Sequence, residues 1–398
     1  MSDSNDKLVV ENLFKVFGNA PDEARKLARA GHTKDEIFRK TGSVVAVNDI
    51  NLSVRQREIF VVMGLSGSGK STLVRCFNRL FEPTSGRILL DGKDITQAND
   101  EELRQIRLRK IAMVFQHFAL FPHKTVLENA EYGLKARGVG EGERRQKALE
   151  ALELVGLGAW ADARPDNLSG GMQQRVGLAR GLAVDPEVLL MDEPFSALDP
   201  LIRREMQEEL LQLQKRFNTT IIFITHDLHE ALTLGHHIAI MKDGRFVQVG
   251  TPEEIVSRPA DDYVSAFTRD VDRSRVLSLG TVMQDPVLVD RSDTVDAVRA
   301  RIAPSGHGAA FVANGSGRPL GVVTRAQLAG RDGGETVERV MLAEFPSLRA
   351  DQRLYEAFDA CGSGLPLAVL DDDGDVVGMV EPLALYRELS TDGSGAEA

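Results

Sequence analysis

Residues Gly64-Leu65-Ser66-Gly67-Ser68-Gly69-Lys70-Ser71 lie between the apolar run Ile59-Phe60-Val61-Val62-Met63 and the helix-forming stretch Thr72-Leu73-Val74-Arg75. The spacing G-x-x-x-x-G-K-S on a strand–loop–helix frame suits a phosphate. Glycines let successive backbone N–H groups turn inward on an anion, and the helix N-terminus adds partial positive charge. Lys70 has the reach for the β- and γ-phosphates of ATP, and Ser71 offers a hydroxyl to Mg2+. Gly64, Leu65, Ser66, Gly67, Ser68, Gly69, Lys70, Ser71 and Thr72 are therefore the candidate ATP contacts. Three other apolar runs end in polar groups: Asp192-Glu193 after Val188-Leu189-Leu190-Met191, Gln116 after Ile111-Ala112-Met113-Val114-Phe115, and His226 after Ile221-Ile222-Phe223-Ile224-Thr225. Asp192 can hold Mg2+ through its coordination shell, and Glu193 beside it can orient and deprotonate an attacking water. The Gln116 amide can ligate the same cation and water without adding charge, and His226 is placed to meet a γ-phosphate. The candidate catalytic set is Glu193, His226, Lys70 and Gln116, and the candidate metal set is Ser71, Gln116 and Asp192.

A second glycine-opened helix start comes at Leu168-Ser169-Gly170-Gly171-Met172-Gln173-Gln174-Arg175. Ser169 is placed as its N-cap, which makes another anion-binding helix end. One ATP does not readily use two such ends from one sheet, so a second chain is implied.

Continuous apolar runs alternating with helical patterns indicate an α/β fold around a parallel sheet covered on both faces, with ligands at the C-terminal strand ends. Strands are expected over Leu8–Leu13 and from Val44 through Val54, and Pro21–Gly42 between them reads as two short helices. Gly31 stops the first; Thr33 and Glu36 form a capping box for the second, with Ile37 and Phe38 as its apolar contacts. The charged set of this hairpin (Arg25, Lys26, Arg29, Lys34, Arg39 and Lys40 against Asp22, Glu23, Asp35 and Glu36) is net basic. Three readings stand: a solvated packing insert, a surface for membrane headgroups or an acidic partner, or a DNA-reading helix pair, which the acidic chain and the lack of an obvious dimeric reader disfavour. After about Asp270 a repeat begins. Val282-Met283 and Gly317–Val323 recur as Val340-Met341 and Gly374–Val380, an offset of about 57 to 59 residues that signals a duplicated module. Each copy reads helix–strand–strand–helix, and pairing lets each bury the other's apolar face.

The net charge of −11 argues against a nucleic-acid binder. From Val271 on there are 20 Asp and Glu, 12 Arg and no Lys, so this third carries most of the negative charge. Two cysteines, Cys76 and Cys361, give neither a disulfide framework nor zinc spacing, which fits a reducing cytoplasm. No apolar run reaches membrane-spanning length, and the polar N-terminus has no signal-peptide core.

Taken together, the phosphate loop, Gln116, Leu168-Ser169-Gly170-Gly171, Asp192-Glu193, Ser196-Ala197-Leu198-Asp199 and His226 resemble, in order, the ATPase subunit of an ABC transporter, a P-loop NTPase with a helical subdomain. The resemblance implies a head-to-tail homodimer in which Ser169, Gly170, Gly171, Gln174 and Asp199 reach the ATP of the opposite protomer. It also implies that Phe17, at a position where the family usually has tyrosine, stacks on adenine. The hairpin, the run Met113–His123 and Phe195–Arg203 resemble the glycine betaine/proline-betaine importer branch, whose C-terminal tandem CBS pair (α+β) the repeat is similar to. The implied organisation is an ATPase domain over 1–268 (hairpin 21–42, helical subdomain about 117–180), CBS motifs over 269–330 and 331–390, and a flexible tail over 391–398. The implied partners are a membrane permease and a substrate-binding protein, with the chain peripheral on the cytoplasmic face of the inner (plasma) membrane and an anionic membrane surface as a candidate contact. Rival readings are an importer ATPase for an amino acid, choline, carnitine or polyamine, and a soluble ABC protein outside transport. In place of the Thr/Ser-then-Asp pattern of adenosine-binding CBS modules, the chain has Thr324 with Gln327 and Glu381 with Ala384. Ionic-strength sensing, through the opposite charges of the hairpin and the C-terminal third, is the rival to ligand binding there.

Overall fold

The computed structural model describes residues 5–116, 119–315 and 317–385. His117-Phe118, within the Met113–His123 run, and the 391–398 tail lie outside them. The chain divides into two compact units, Met1–Pro252 and Glu253–Ala398.

In the first unit the elements run β1 (Asp6–Phe17), α1 (Pro21–Arg29), α2 (Lys34–Thr41), β2 (Val44–Arg55), β3 (Ile59–Met63), α3 (Lys70–Phe77), β4 (Ser85–Leu90), β5 (Lys93–Asp94), α4 (Asp100–Arg109) and β6 (Ile111–Val114). Then come α5 (Val126–Ala130), α6 (Tyr132–Ala136), α7 (Glu141–Leu154), α8 (Gly170–Leu182), β7 (Val188–Asp192), α9 (Pro200–Phe217), β8 (Thr220–Thr225), α10 (Leu228–Leu234), β9 (His237–Lys242) and β10 (Arg245–Gly250). The central sheet has the order β10-β9-β3-β8-β7-β6, and every residue of β3, β7 and β8 is buried. Burial on both faces is why these strands read as unbroken apolar runs. The register decides what comes together: Met63 pairs with Thr225, and Asp192 with Ile224, all in parallel. Gly64, Glu193 and His226 therefore emerge along one edge, as the strand-end argument requires.

The smaller sheet, β2-β1-β4-β5, carries the hairpin. Phe17 pairs with Val44, so α1 and α2 fill the connection between two neighbouring antiparallel strands. Ala24, Ala28 and Ile37 pack against Phe14, Val16 and Val45. The Thr33–Glu36 capping box forms, and Gly42 ends α2 in the left-handed conformation. Phe38 differs from expectation: it is 54 % exposed, because only the Ile37 side of so short a helix meets the sheet. Helices α5, α7 and α8 pack on one another as the expected helical layer.

The second unit begins at Glu253. Helices α11 (Pro252–Ser257) and α12 (Asp262–Thr268) lead into it, and Glu253 explains why. Its carboxylate accepts from Thr281 at 2.9 Å and pairs with Arg353 at 2.7 Å, which ties this segment to the C-terminal repeat. Next come α13 (Leu279–Val282), β11 (Leu288–Asp290), α14 (Val295–Ser305), β12 (Ala309–Ala313), β13 (Pro319–Thr324), α15 (Arg325–Leu328), β14 (Ser347–Arg349), α16 (Leu354–Ala360), β15 (Leu367–Leu370) and β16 (Val376–Val380). The two copies form matching three-stranded sheets, β11-β12-β13 and β14-β15-β16. Ala309, Phe311 and Val322 from the first share a core with Ala368, Val376 and Met379 from the second, so each copy buries the other's apolar face.

Candidate functional site

The phosphate loop is shaped by its glycines. Gly69 has φ +110°, and a Cβ there would run into the Ala46 carbonyl. Leu65, Ser66 and Gly67 are exposed at the tip, whereas Gly64, Ser68 and Lys70 are buried. Lys70 Nζ donates to the Gly64 carbonyl at 2.7 Å and to that of Leu65 at 3.1 Å, so the ammonium closes back on its own loop. Burial pulls its pKa below the ordinary lysine value, and the charges of Glu193 and Asp192 oppose that shift. Thr72 succeeds Ser71 in the first turn of α3.

Two networks leave this edge. In the first, Ser71 Oγ donates to Asp192 Oδ1 at 2.7 Å, and Arg75 donates to Asp192 Oδ2 at 3.1 Å. Because the serine hydroxyl spends its proton on Asp192, its lone pairs are the part left to ligate a cation. In the second, Glu193 Oε2 accepts from Gln116 Nε2 at 3.2 Å and lies 3.1 Å from His226 Nδ1. Donation through Nε2 leaves the Gln116 carbonyl oxygen as its ligating atom. Glu193 holds φ +48°, a left-handed turn that aims its side chain off the strand end. The oxygen donors Ser71, Asp192 and Gln116 fit a hard divalent cation such as Mg2+.

The second glycine-opened helix is in a different state. Ser169 caps α8, its Oγ accepting from Met172 N at 3.3 Å, and Ser169 and Gly170 are exposed. Asp199 caps α9 by accepting from Ile202 N at 3.1 Å and is likewise exposed. Phe17 is 38 % exposed, edge-on to Phe81 at 5.5 Å.

A family profile described as ABC transporter matches residues 47–196, and one described as CBS domain matches 279–332. The chain is 47 % identical over 388 residues to the glycine betaine transport ATP-binding protein OpuAA of Bacillus subtilis, covering 96 % of this chain and 92 % of that one. The chain belongs to the ATP-binding subunits of ABC transporters. It is 46 % identical to the glycine betaine/proline betaine transport system ATP-binding protein ProV of Salmonella typhimurium, over 97 % of this chain and 98 % of that one. Among solved structures, a post-hydrolysis dimer of an ATP-binding cassette bound to ADP and phosphate matches with a TM-score of 0.54 and 32 % identity, over 62 % of this chain and 98 % of that one. As a member of this family the chain is a nucleotide-binding ATPase coupled to transport. Among the described residues no helix is long and apolar enough to cross a membrane.

One expected ABC contact is placed differently. Gln174, assigned to the opposite protomer's ATP, is 2 % exposed. Its Nε2 donates to the Glu193 carbonyl at 3.3 Å and its Oε1 accepts from Ala197 N at 3.1 Å, so both ends of the amide brace its own chain's 193–197 loop. Spacing along the signature cannot show this, because it depends on where α8 docks.

Three features have little or no signature in the sequence. Arg75 lies one helical turn beyond Ser71, and that i,i+4 relation is the available signal. Arg203 stands past the Ser196–Asp199 motif, in the first turn of α9, where nothing in the spacing singles it out. The Asp243–Arg245 turn supports the loop from behind: Gly244 N donates to the Ser68 carbonyl at 2.8 Å, and Arg245 donates to the Ala28 carbonyl of the hairpin at 2.8 Å. In the second unit Thr324 and Gln327 are occupied in capping α15. A cavity of about 630 Å3 there is lined by Asp285, His307 and Glu381 among others. Glu381 Oε1 accepts from Gly308 N at 2.7 Å and lies 3.9 Å from His307 Nδ1.

Proposed function

We propose that this chain hydrolyses ATP to energise import of glycine betaine or proline betaine. The observation that carries the solute class is identity above 45 % over nearly the whole of both chains to subunits named for those betaines. A second copy, a membrane permease and a substrate-binding protein complete the transporter, with this subunit peripheral on the cytoplasmic face of the membrane and no nucleic acid involved.

In this reading the Gly64–Thr72 loop wraps the phosphates, and Lys70 exchanges its loop carbonyls for β- and γ-phosphate oxygens. When bound, Mg2+ neutralises phosphate charge; Ser71, Gln116 and Asp192 would hold it, Asp192 through the Ser71 hydroxyl it accepts from. Glu193 takes the proton of the attacking water. Gln116 and His226 both bond the same Glu193 oxygen, and together they fix the line along which that carboxylate meets water. The N–H groups at Ser169, Gly170 and Gly171 of one copy close over the ATP of the other, with Asp199 beside them, and Phe17 packs on adenine. The hairpin supports a contact with anionic headgroups: Lys26, Arg29, Arg39, Lys40 and Phe38 are all exposed on it, against the exposed acids Asp22, Glu23 and Asp35, which leaves a net basic surface with one apolar side chain. The CBS pair then tunes activity through ionic strength or a ligand in its cleft. Raising salt from 0.1 to 1 M shortens the screening length from about 10 to about 3 Å, enough to release surface attractions of this kind.

The test is uptake by the assembled transporter of labelled glycine betaine, proline betaine, choline, carnitine and a polyamine. ATP-dependent uptake of the betaines is expected. Uptake of only an amino acid or polyamine, or failure to copurify with a permease, overturns the reading.

A further inference from the structure

Strands β7 and β8 end side by side and feed two loops, 193–199 and 226–227. One side chain spans them. Arg203, in the first turn of α9, donates from one terminal nitrogen to the Leu198 carbonyl at 3.1 Å and holds the other 3.5 Å from Asp227 Oδ2. Its Nε stands 3.7 Å from Oε1 of Glu230, a carboxylate only 5 % exposed. The other Glu230 oxygen accepts from Thr225 Oγ1 at 2.6 Å, and Thr225 Oγ1 accepts from Asp227 N at 2.9 Å. His226 thus sits between two residues that are fixed through the Arg203–Glu230 pair. Glu193, Arg203 and His226 also line one water-sized void of about 30 Å3. An ion pair whose carboxylate is buried and whose arginine is half-buried adds little to stability compared with an apolar packing of the same volume. What this one supplies is geometry, since a planar guanidinium can hold two acceptors at a fixed separation.

We propose that Arg203 is a positioning residue that ties the Ser196–Asp199 loop to His226, so that ATP held against that loop by a second copy sets the aim of the imidazole on Glu193. The inference rests on the two-copy ATP site of the proposed function. It accounts for an arginine that touches neither phosphate loop nor signature yet lies between the dimer-facing loop and the histidine.

The experiment uses the full chain in its assembled transporter, with steady-state ATPase measured against ATP concentration. Arg203→Lys keeps the charge and loses the fork. Its kcat is expected to fall about tenfold, equivalent to roughly 1.4 kcal/mol, with KM changed by less than about twofold and cooperativity in ATP lost. Asp227→Asn retains the helix-capping oxygen and removes the Arg203 acceptor, so the same loss is required of it. In a His226→Ala background either change should be nearly silent, because positioning of an absent imidazole cannot be lost. An undiminished second loss in that background makes Arg203 a structural residue and overturns the proposal, as does full kcat and cooperativity in Asp227→Asn. If Arg203→Lys does not fold, Asp227→Asn decides alone. Should His226→Ala itself hydrolyse ATP normally, the role given to His226 fails, a pattern distinct from failure of the Arg203 link.

Discussion

Two glycine-opened helix starts of the first unit, at Lys70 and at Gly170, are finished to different degrees. At Lys70 the helix end is enclosed: Ser71, Arg75 and Asp192 form one bonded group, Gln116, Glu193 and His226 another, and the lysine is folded onto its loop. At Gly170 the helix end is exposed, and among the described residues Ser169 bonds to Met172 and Gln173 of α8. A helix N-terminus stabilises an anion wherever it stands. What separates the two is whether one chain can surround the anion. In the proposed function the enclosed end holds the groups that act on phosphate and water, and the open end offers its donors to the ATP of a second copy.

The largest effect should come from the enclosed end. Glu193→Gln preserves the size of the hub between Gln116 and His226 but removes the base. Hydrolysis is expected to fall by about 10²- to 10⁴-fold while ATP still binds, leaving an ATP-loaded dimer detectable by mass in solution. Phosphate release above a tenth of the normal rate would place the base elsewhere.

A glycine exchange at each end sharpens the contrast further. Gly69→Ala forces a left-handed residue and a carbonyl collision, so the chain should lose about 1–2 kcal/mol from backbone strain alone, with nucleotide binding. Gly170 has open space where its Cβ would go. Alanine there should therefore leave stability equal or raise it by up to about 1 kcal/mol from helix propensity, yet slow hydrolysis if, as the proposed two-copy site requires, a second copy's phosphate approaches that position. Thermal midpoint and ATPase measured on both variants separate the cases. Equal activity in Gly170→Ala would mean that the open end serves no nucleotide.

Gln174 tests the border between the two ends. Its removal leaves Ala197 N without its acceptor, while the Glu193 carbonyl keeps the Ser196 N and Oγ donors, so Gln174→Ala should destabilise the isolated chain by about 1–3 kcal/mol, the cost of one unsatisfied donor. An unchanged midpoint with a defect confined to the dimer would restore the contact across the interface that the signature implies.

How legible these residues are depends on how local their determinants are. The phosphate loop, the Thr33 and Ser169 caps and the strand-end acids are set by a few neighbouring residues, so spacing reveals them. The repeat is visible because its copies align at a constant offset, carried into the structure as β12 with β15 and β13 with β16. Arg203 and the two-ended use of Gln174 depend on parallel register and on where α8 and α9 dock, which no window of sequence contains. Phe38 departs from its expected burial for a related reason: a two-turn helix offers one narrow face, and the fold presents only Ile37 to the sheet. Thr324 and Gln327 show the converse, a motif position taken over by a local cap.

The smallest effect belongs to Phe17, where the comparison is weakest. Its ring lies at the end of β1 and is only partly exposed. Lys15 Nζ sits 4.8 Å from the ring centre while donating to the Glu82 carbonyl at 2.8 Å, and Phe81 meets the ring edge-on. An adenine stacking on Phe17 must share the ring with that ammonium. Loss of one aromatic contact is worth about 0.5–1.5 kcal/mol, so Phe17→Ala should raise the dissociation constant for ATP by roughly two- to tenfold and leave kcat at saturation unchanged. Because the contact is to the base and not to phosphate, the penalty should vanish for triphosphate alone. An equal penalty for ATP and inorganic triphosphate would move adenine off this residue and leave Phe17 as packing for Phe81.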